Sequence, residues 1–248
     1  MRIRGWVVMG GLVWMGCGGE AAPPPAQPSL SELEARLEDP AASVHVPFEV
    51  EATGAVEVAL TGDLFLGPEG AARLQARGTF AGREVDVHAI SDGERLTWTG
   101  APEPIPTPTG LRDALVVGLT RMGVLHNVAR LTAGAPPDHM EGGVRDWVVV
   151  SPDTAGAAPP PELAGEGLAL AITVDGVPSG AFRLNFDETG RLPRIRRQVV
   201  EFPDGRMEVT ERYPTVALEA RFPDGHFDLP ADANRDTDAD PQSGGGGG

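Results

Sequence analysis

The stretch Val44-His45-Val46-Pro47-Phe48-Glu49-Val50-Glu51-Ala52 alternates apolar and polar residues. A period of two puts Val44, Val46, Phe48, Val50 and Ala52 on one face of a strand, so that face packs on a core while the other meets water. Pro47 has no N–H to donate to a ladder, which predicts an edge strand. The alternation returns in Val56/Val58/Leu60, in Leu74/Ala76/Phe80, in Val85/Val87/Ala89 and in Leu96/Trp98. Gly54, Ala81-Gly82 and Asp92-Gly93 separate these runs at hairpin spacing. The first half of the chain is thus expected to be an antiparallel meander.

Upstream of the meander the period is helical. Ser29 is placed as an N-cap, Glu32 completes a capping box, and Leu30, Leu33 and Leu37 fall on one face before Pro40 ends the turn. Downstream, four prolines between Pro102 and Pro108 break the strand pattern. Thr109 or Gly110 then opens a helix whose apolar positions Leu111, Leu115, Leu119, Met122, Leu125 and Val128 step by three or four, with Asp113 favouring the positive N-terminal dipole and Gly123 placed to divide the helix. Strands resume over residues 147–150, 168–174, 182–186, 195–202, 207–213 and 216–222. Residues 133–143 and 151–167 are expected to be loops. The tetrapeptide Phe-Pro-Asp-Gly occurs at 202–205 and 222–225, too few copies for a repeat architecture, and both are expected to be turns.

The chain begins Met1-Arg-Ile-Arg-Gly-Trp-Val-Val-Met-Gly-Gly-Leu-Val-Trp-Met-Gly16-Cys17, with basic Arg2 and Arg4, a short apolar run and a small residue before the only cysteine. This resembles a bacterial lipoprotein signal peptide. The resemblance implies cleavage before Cys17 and acylation of Cys17 with chains of the palmitate class, leaving residues 1–16 as the signal. Gly18, where the family's inner-membrane retention signal would be aspartate, implies the outer membrane, facing the periplasm. Residues 17–28, rich in Pro and Gly, have the composition of a stiff tether. Residues 29–230 form a single domain, and residues 231–248, acidic and then polyglycine, are expected to be disordered.

The exported part carries all 36 acids against 18 of the 20 basic residues, a net charge of −18 that disfavours nucleic acid and anionic headgroups. Every basic residue is arginine, so neither a Schiff-base lysine nor a Walker lysine exists. With Cys17 acylated, no disulfide supports the fold, which must rest on its core. The chain holds no Gly-x-Ser-x-Gly, no His-Glu-x-x-His and no Gly-x-Gly-x-x-Gly after a strand, and the reading is of a non-enzyme without cofactor or metal. His139 beside Asp138 and Glu141 is expected to be solvated. Asp236, Asp238 and Asp240 alternate like calcium ligands, but Pro241 and Gly247 stand where glycine and a bidentate glutamate are required. Arg191, Arg194, Arg196 and Arg197 are expected to form a solvated sheet face paired with acids, the functional alternative being a rim that holds a lipid phosphate.

Residues 85–98 (strand, Asp92-Gly93 turn, strand ending in Trp98) and 182–230 carry a further resemblance. Asn185-Phe-Asp-Glu-Thr-Gly-Arg-Leu-Pro193 is similar to the Asp-x-x-Thr-Gly-Leu-Pro turn of the LolA/LolB-type lipoprotein carriers, with Arg191 inserted, and Phe227-Asp-Leu-Pro230 resembles their closing strand. The resemblance implies a mainly β (α+β) fold: a curved antiparallel sheet, or incomplete barrel, with a helical lid. It implies a monomer that shelters a lipid, a lipoprotein acyl chain or another apolar ligand between sheet and helices. Trp98, Leu115, Leu119, Met122, Leu125 and Trp147 are the candidate cavity lining. The alternative is an interaction or structural lipoprotein whose core is filled by its own side chains. No position in this sequence matches the lid-binding arginine of these carriers.

Overall fold

The computed structural model describes residues 29–135, 148–152, 161–189, 191–203 and 205–230. Cys17, the tether, His139, Trp147 and the acidic tail lie outside the described residues. Ser29 opens α1 (Leu30–Glu38) with the expected capping box: its hydroxyl accepts from the Glu32 amide at 3.3 Å, and the Glu32 carboxylate accepts from the Ser29 amide at 2.9 Å. Two backbone donors that every helix start leaves orphaned are thereby satisfied. Leu30, Leu33 and Leu37 are buried, as their spacing requires.

Six strands follow, each antiparallel to its predecessor: β1 (Val44–Gly54), β2 (Val58–Leu66), β3 (Ala71–Phe80), β4 (Arg83–Asp92), β5 (Arg95–Trp98) and β6 (Ile105–Pro106). After the helices come β7 (Val148–Pro152), β8 (Leu168–Val174), β9 (Val177–Phe186), β10 (Pro193–Phe202), β11 (Gly205–Arg212) and β12 (Ala217–Leu218). The second meander joins the first through β11 and β1, giving the order β6-β5-β4-β3-β2-β1-β11-β10-β9-β8-β7, with β12 on the start of β1. The result is one curved, unclosed antiparallel sheet with few helices.

Three strand expectations are corrected. Pro47 does not mark an edge, because β1 lies mid-sheet between β2 and β11. It is tolerated because β12 pairs only Val44 and His45, while β11 pairs only from Glu49 to Gly54, and Pro47 falls in the gap between them. The strand expected over 216–222 shrinks to Ala217–Leu218, since Glu219 leaves the ladder with φ at +63° and only the Ala220 amide returns, to the Ser43 carbonyl. The rest of that segment runs irregularly over the outer face. There Phe222, His226 and Phe227 pack around Phe65, with the Phe65 and His226 rings 4.5 Å apart, and no closing strand forms at 227–230.

Mid-chain, α2 (Leu111–Val117) runs through a π-helical turn, Gly118–Met122, to Gly123, and α3 (Val124–Thr132) follows. Gly123 divides the helix as expected, with φ at +90°, a conformation that side chains resist. A Cβ at Gly118 would lie 2.3 Å from the Asn127 amide, so glycine there lets α2 and α3 approach. Arg112 of α2 donates to the carbonyls of Leu37 (2.9 Å), Ala42 (2.9 Å) and Gly67 (2.8 Å), fastening the end of α1 and the β2–β3 connection to α2. Leu111, Leu115, Leu119, Val124, Val128 and Leu131 are buried in one core with the inner faces of the strands.

Candidate functional site

The turn between the π-helical segment and α3 is gripped from both sides by a charged pair of the sheet. Arg196 of β10 and Glu211 of β11 stand opposite each other in register, and both are 0% exposed. The Arg196 guanidinium donates to the carbonyls of Thr120 (2.8 Å) and Arg121 (2.6 Å), and lies 3.7 Å from the centre of the Phe182 ring. Glu211 accepts from the amides of Val124 (3.0 Å) and Leu125 (2.9 Å) and from the Tyr213 hydroxyl. The carboxylate thus answers the orphaned amides and positive dipole of the α3 N-terminus, while the guanidinium answers free carbonyls before Gly123. A Cβ at Gly123 would sit 2.5 Å from Glu211 Oε1, which accounts for glycine there a second time. Burial, and then the Glu211 charge, push the Tyr213 phenol far above its usual range, so it stays a donor.

An ion pair between Arg121 and Glu34 fastens the helices to each other. Arg121 donates to both Glu34 oxygens of α1, at 2.8 and 2.9 Å, and to the Val148 carbonyl at 2.8 Å; Thr120 adds a hydroxyl to Glu34 at 2.9 Å. The helices that the sequence suggested as a lid are therefore pinned at their turn. One arginine of the sheet, Arg196, reaches them, where the sequence located no lid-binding arginine. Arg196 also corrects the expectation for the arginine cluster: Arg194 and Arg197 are exposed, but Arg196 lies on the inner face and is buried completely.

Beyond this clamp, toward the hairpin ends of the sheet, lies a cavity of about 260 Å³. Met122, Leu125, His126 and Ala129 form its helical wall; Val56, Val58, Phe80, Gln198, Val200 and Val209 line it from the sheet, with Met207 and Phe202 beside them. Phe202 ends β10 and is 42% exposed. Ten of these twelve side chains are hydrocarbon, aromatic or thioether, leaving Gln198 and His126 as the polar ones. Larger concavities of about 460 and 590 Å³ lie over β1–β4 on the outer face, but Glu49, Asp63, Asp86 and Arg77 line the first and Glu49, Glu51, Glu84 and Asp86 the second. Those are wet and charged. An apolar ligand gains nothing by entering them.

Of the six candidate lining residues, the structure brings Met122 and Leu125 to the cavity. Leu119 is buried in the core, and Leu115 packs against Ala72, Leu74, Ala89, Leu96 and Leu111 where no space for a water remains. Trp98 packs at the edge of the core and donates its indole N–H to the Gly134 carbonyl at 3.0 Å, tying down the end of α3. Trp147 is outside the described residues. Sequence reasoning missed Gln198, His126 and Phe202. Gln198 and Phe202 share strand parity with the apolar Val200, a signal that a period-two reading of β10 carries.

Burial, and then nearby Arg130, lower the His126 pKa to about 4, so the cavity wall is neutral at pH 7. An unfolded chain protonates this histidine below about pH 6.5, taking up a proton that the folded state refuses. Stability is therefore lost as pH falls from about 6.5 toward 4, by up to about 3 kcal/mol from this group. His126→Leu is expected to flatten that part of the profile. Melting temperatures of both proteins at pH 7 and pH 4.5 measure it, and parallel drops would show that His126 is not the cause.

Among solved structures, the chain is similar to MucB, with 15% identity and a TM-score of 0.38 over 82% of this chain and 63% of that one. It is similar to the LolA superfamily protein NE2245 from Nitrosomonas europaea, with 10% identity and a TM-score of 0.42 over 81% and 97% of the two chains. The MucA/MucB complex of Pseudomonas aeruginosa also matches, with 15% identity and a TM-score of 0.35 over 82% and 62%. The chain thus spans less than two thirds of MucB. No protein-family model and no curated protein matches the sequence.

Proposed function

We propose that this protein is a non-catalytic lipoprotein of the cell envelope, held in the outer membrane by acylated Cys17 and binding an apolar chain between α3 and the sheet. The observation that carries this reading is the cavity itself. Its volume of about 260 Å³ lies near the roughly 300 Å³ at which ligand pockets begin, room for part of an alkyl chain. The wall is almost wholly apolar, its histidine is neutral at pH 7, and no fixed charge opposes a hydrocarbon. The clamp at Gly123 fixes the near end of α3, so α3 holds a set distance from β10 and β11 and the cavity does not collapse.

The full chain carrying Cys17→Ser, which removes the anchor and the need for detergent, is expected to bind the fluorescent apolar probe N-phenyl-1-naphthylamine. Met122 lines the cavity and is half-buried, so Met122→Glu is expected to weaken probe binding at least tenfold while the melting temperature changes little. Leu119 is buried and does not reach the cavity, so Leu119→Glu is expected to unfold the domain instead. The packed region around Leu111 and Leu115 favours a second reading, an interaction lipoprotein without a ligand. A wild type that binds no apolar probe, with both substitutions acting only on stability, decides for that reading.

A further inference from the structure

Gln198 is buried to 7% exposure, lines the cavity, and is held by the clamp. Its side-chain oxygen accepts from Arg196 Nε at 2.9 Å. An arginine Nε only donates, so this contact fixes which arm of the amide is oxygen and which is nitrogen. Arg196 is itself immobilised by two carbonyls and the Phe182 ring. The amide therefore has one orientation, and its NH2 group, accessible from the cavity, donates to no protein atom among the described residues.

Resting on the apolar-chain reading above, we infer that Gln198 makes the cavity selective for chains that carry an uncharged hydrogen-bond acceptor, as the carbonyl of an acyl ester does. A plain hydrocarbon filling the cavity would strip water from the Gln198 NH2 and leave it unpaired, which costs the full desolvation of a donor. An ester carbonyl at that depth pairs it. Because the donor is already oriented, little ordering is lost when the bond forms. A free carboxylate is favoured less than an ester. The Arg196 charge behind Gln198 is already answered by Glu211, and His126 on the opposite wall is neutral, so nothing repays the dehydration of an anion. Neutral imidazole offers a second uncharged polar contact across the cavity.

Displacement of N-phenyl-1-naphthylamine from the full-chain Cys17→Ser protein tests this with dodecyl acetate, dodecane and dodecanoate as competitors. Dodecyl acetate is expected to compete roughly tenfold more tightly than dodecane, with dodecanoate weaker than the ester. Gln198→Glu keeps an acceptor for Arg196 and removes the donor, and is expected to abolish the ester preference, read as the ratio of ester to alkane competition and therefore independent of any change in probe affinity. Gln198→Leu removes both arms and is expected to equalise ester and alkane, which keeps the test open if either variant melts low. Equal competition by ester and alkane in the wild type, or an ester preference that survives both variants, overturns the role of Gln198 and leaves the cavity reading standing. Dodecanoate competing more tightly than the ester also overturns it, since charge would then be what is recognised. Failure of the wild type to bind the probe removes the cavity reading and this inference together.

Discussion

Arg196→Met is expected to lower the melting temperature by roughly 6 to 20 °C, the consequence of about 3 to 5 kcal/mol lost in a domain of this size. The methionine fills similar volume, so the loss is not one of packing. It arises because the Thr120 and Arg121 carbonyls and the Gln198 oxygen lose their donor, and because Glu211 is left as a buried charge without its opposite. Burial lowers the Arg196 pKa while Glu211 holds it up, so the two charges depend on each other. The double variant Arg196→Met/Glu211→Gln is therefore expected to be more stable than the sum of the single changes predicts, by more than about 1 kcal/mol in a thermodynamic cycle. Arg196→Lys should fall between, since a lysine cannot serve two carbonyls and an amide oxygen with one planar fork. A shift under about 3 °C for Arg196→Met, or strict additivity in the cycle, would show that the clamp does not hold the helices.

The clamp and the strands differ in how far the sequence exposed them, for a physical reason. Strand alternation is local: β1 from Val44 to Ala52 and β3 around Leu74 and Ala76 were legible because one face must be buried wherever it runs. The capping box at Ser29 and the break at Gly123 were legible for the same reason, each depending on neighbours within a few positions. Arg196 depends on something distant. In a run with Arg194 and Arg197 it resembles a solvated cation, and only the pairing of β10 with β11 brings Glu211 opposite it. The helix carbonyls that complete its environment lie some 75 residues upstream. Pro47 misled in the opposite sense. Its local meaning, a missing donor, was correct, but the sheet leaves a gap beside it in mid-sheet instead of an edge. The cavity was half legible: helical spacing gave Met122 and Leu125, while Leu115 and Leu119 share their stripe yet pack into filled core, because the space opens only past the turn that Arg196 and Glu211 hold.

Cys17→Ser is expected to move the protein completely from the membrane pellet to the soluble fraction, to abolish labelling with palmitate, and to leave the melting temperature of the domain unchanged. The stability part follows from the N-terminal boundary. Ser29 and Glu32 cap α1 with their own side chains, so the first helix needs nothing upstream, and α1 is locked to α2 through Arg112 and to the π-helical turn through Glu34 and Arg121. The membrane part follows from magnitudes. Burial of acyl chain contributes about 0.8 kcal/mol per methylene, so one chain holds marginally and two or more hold firmly. Among the described residues no helix is long and apolar enough to cross a membrane, and a net charge of −16 over the whole sequence repels anionic headgroups. Release by the substitution should therefore be complete and insensitive to salt. A mutant protein that still sediments with membranes, or wild-type protein that takes up no palmitate, would refute the anchor and leave the cavity to be tested as that of a freely diffusing protein.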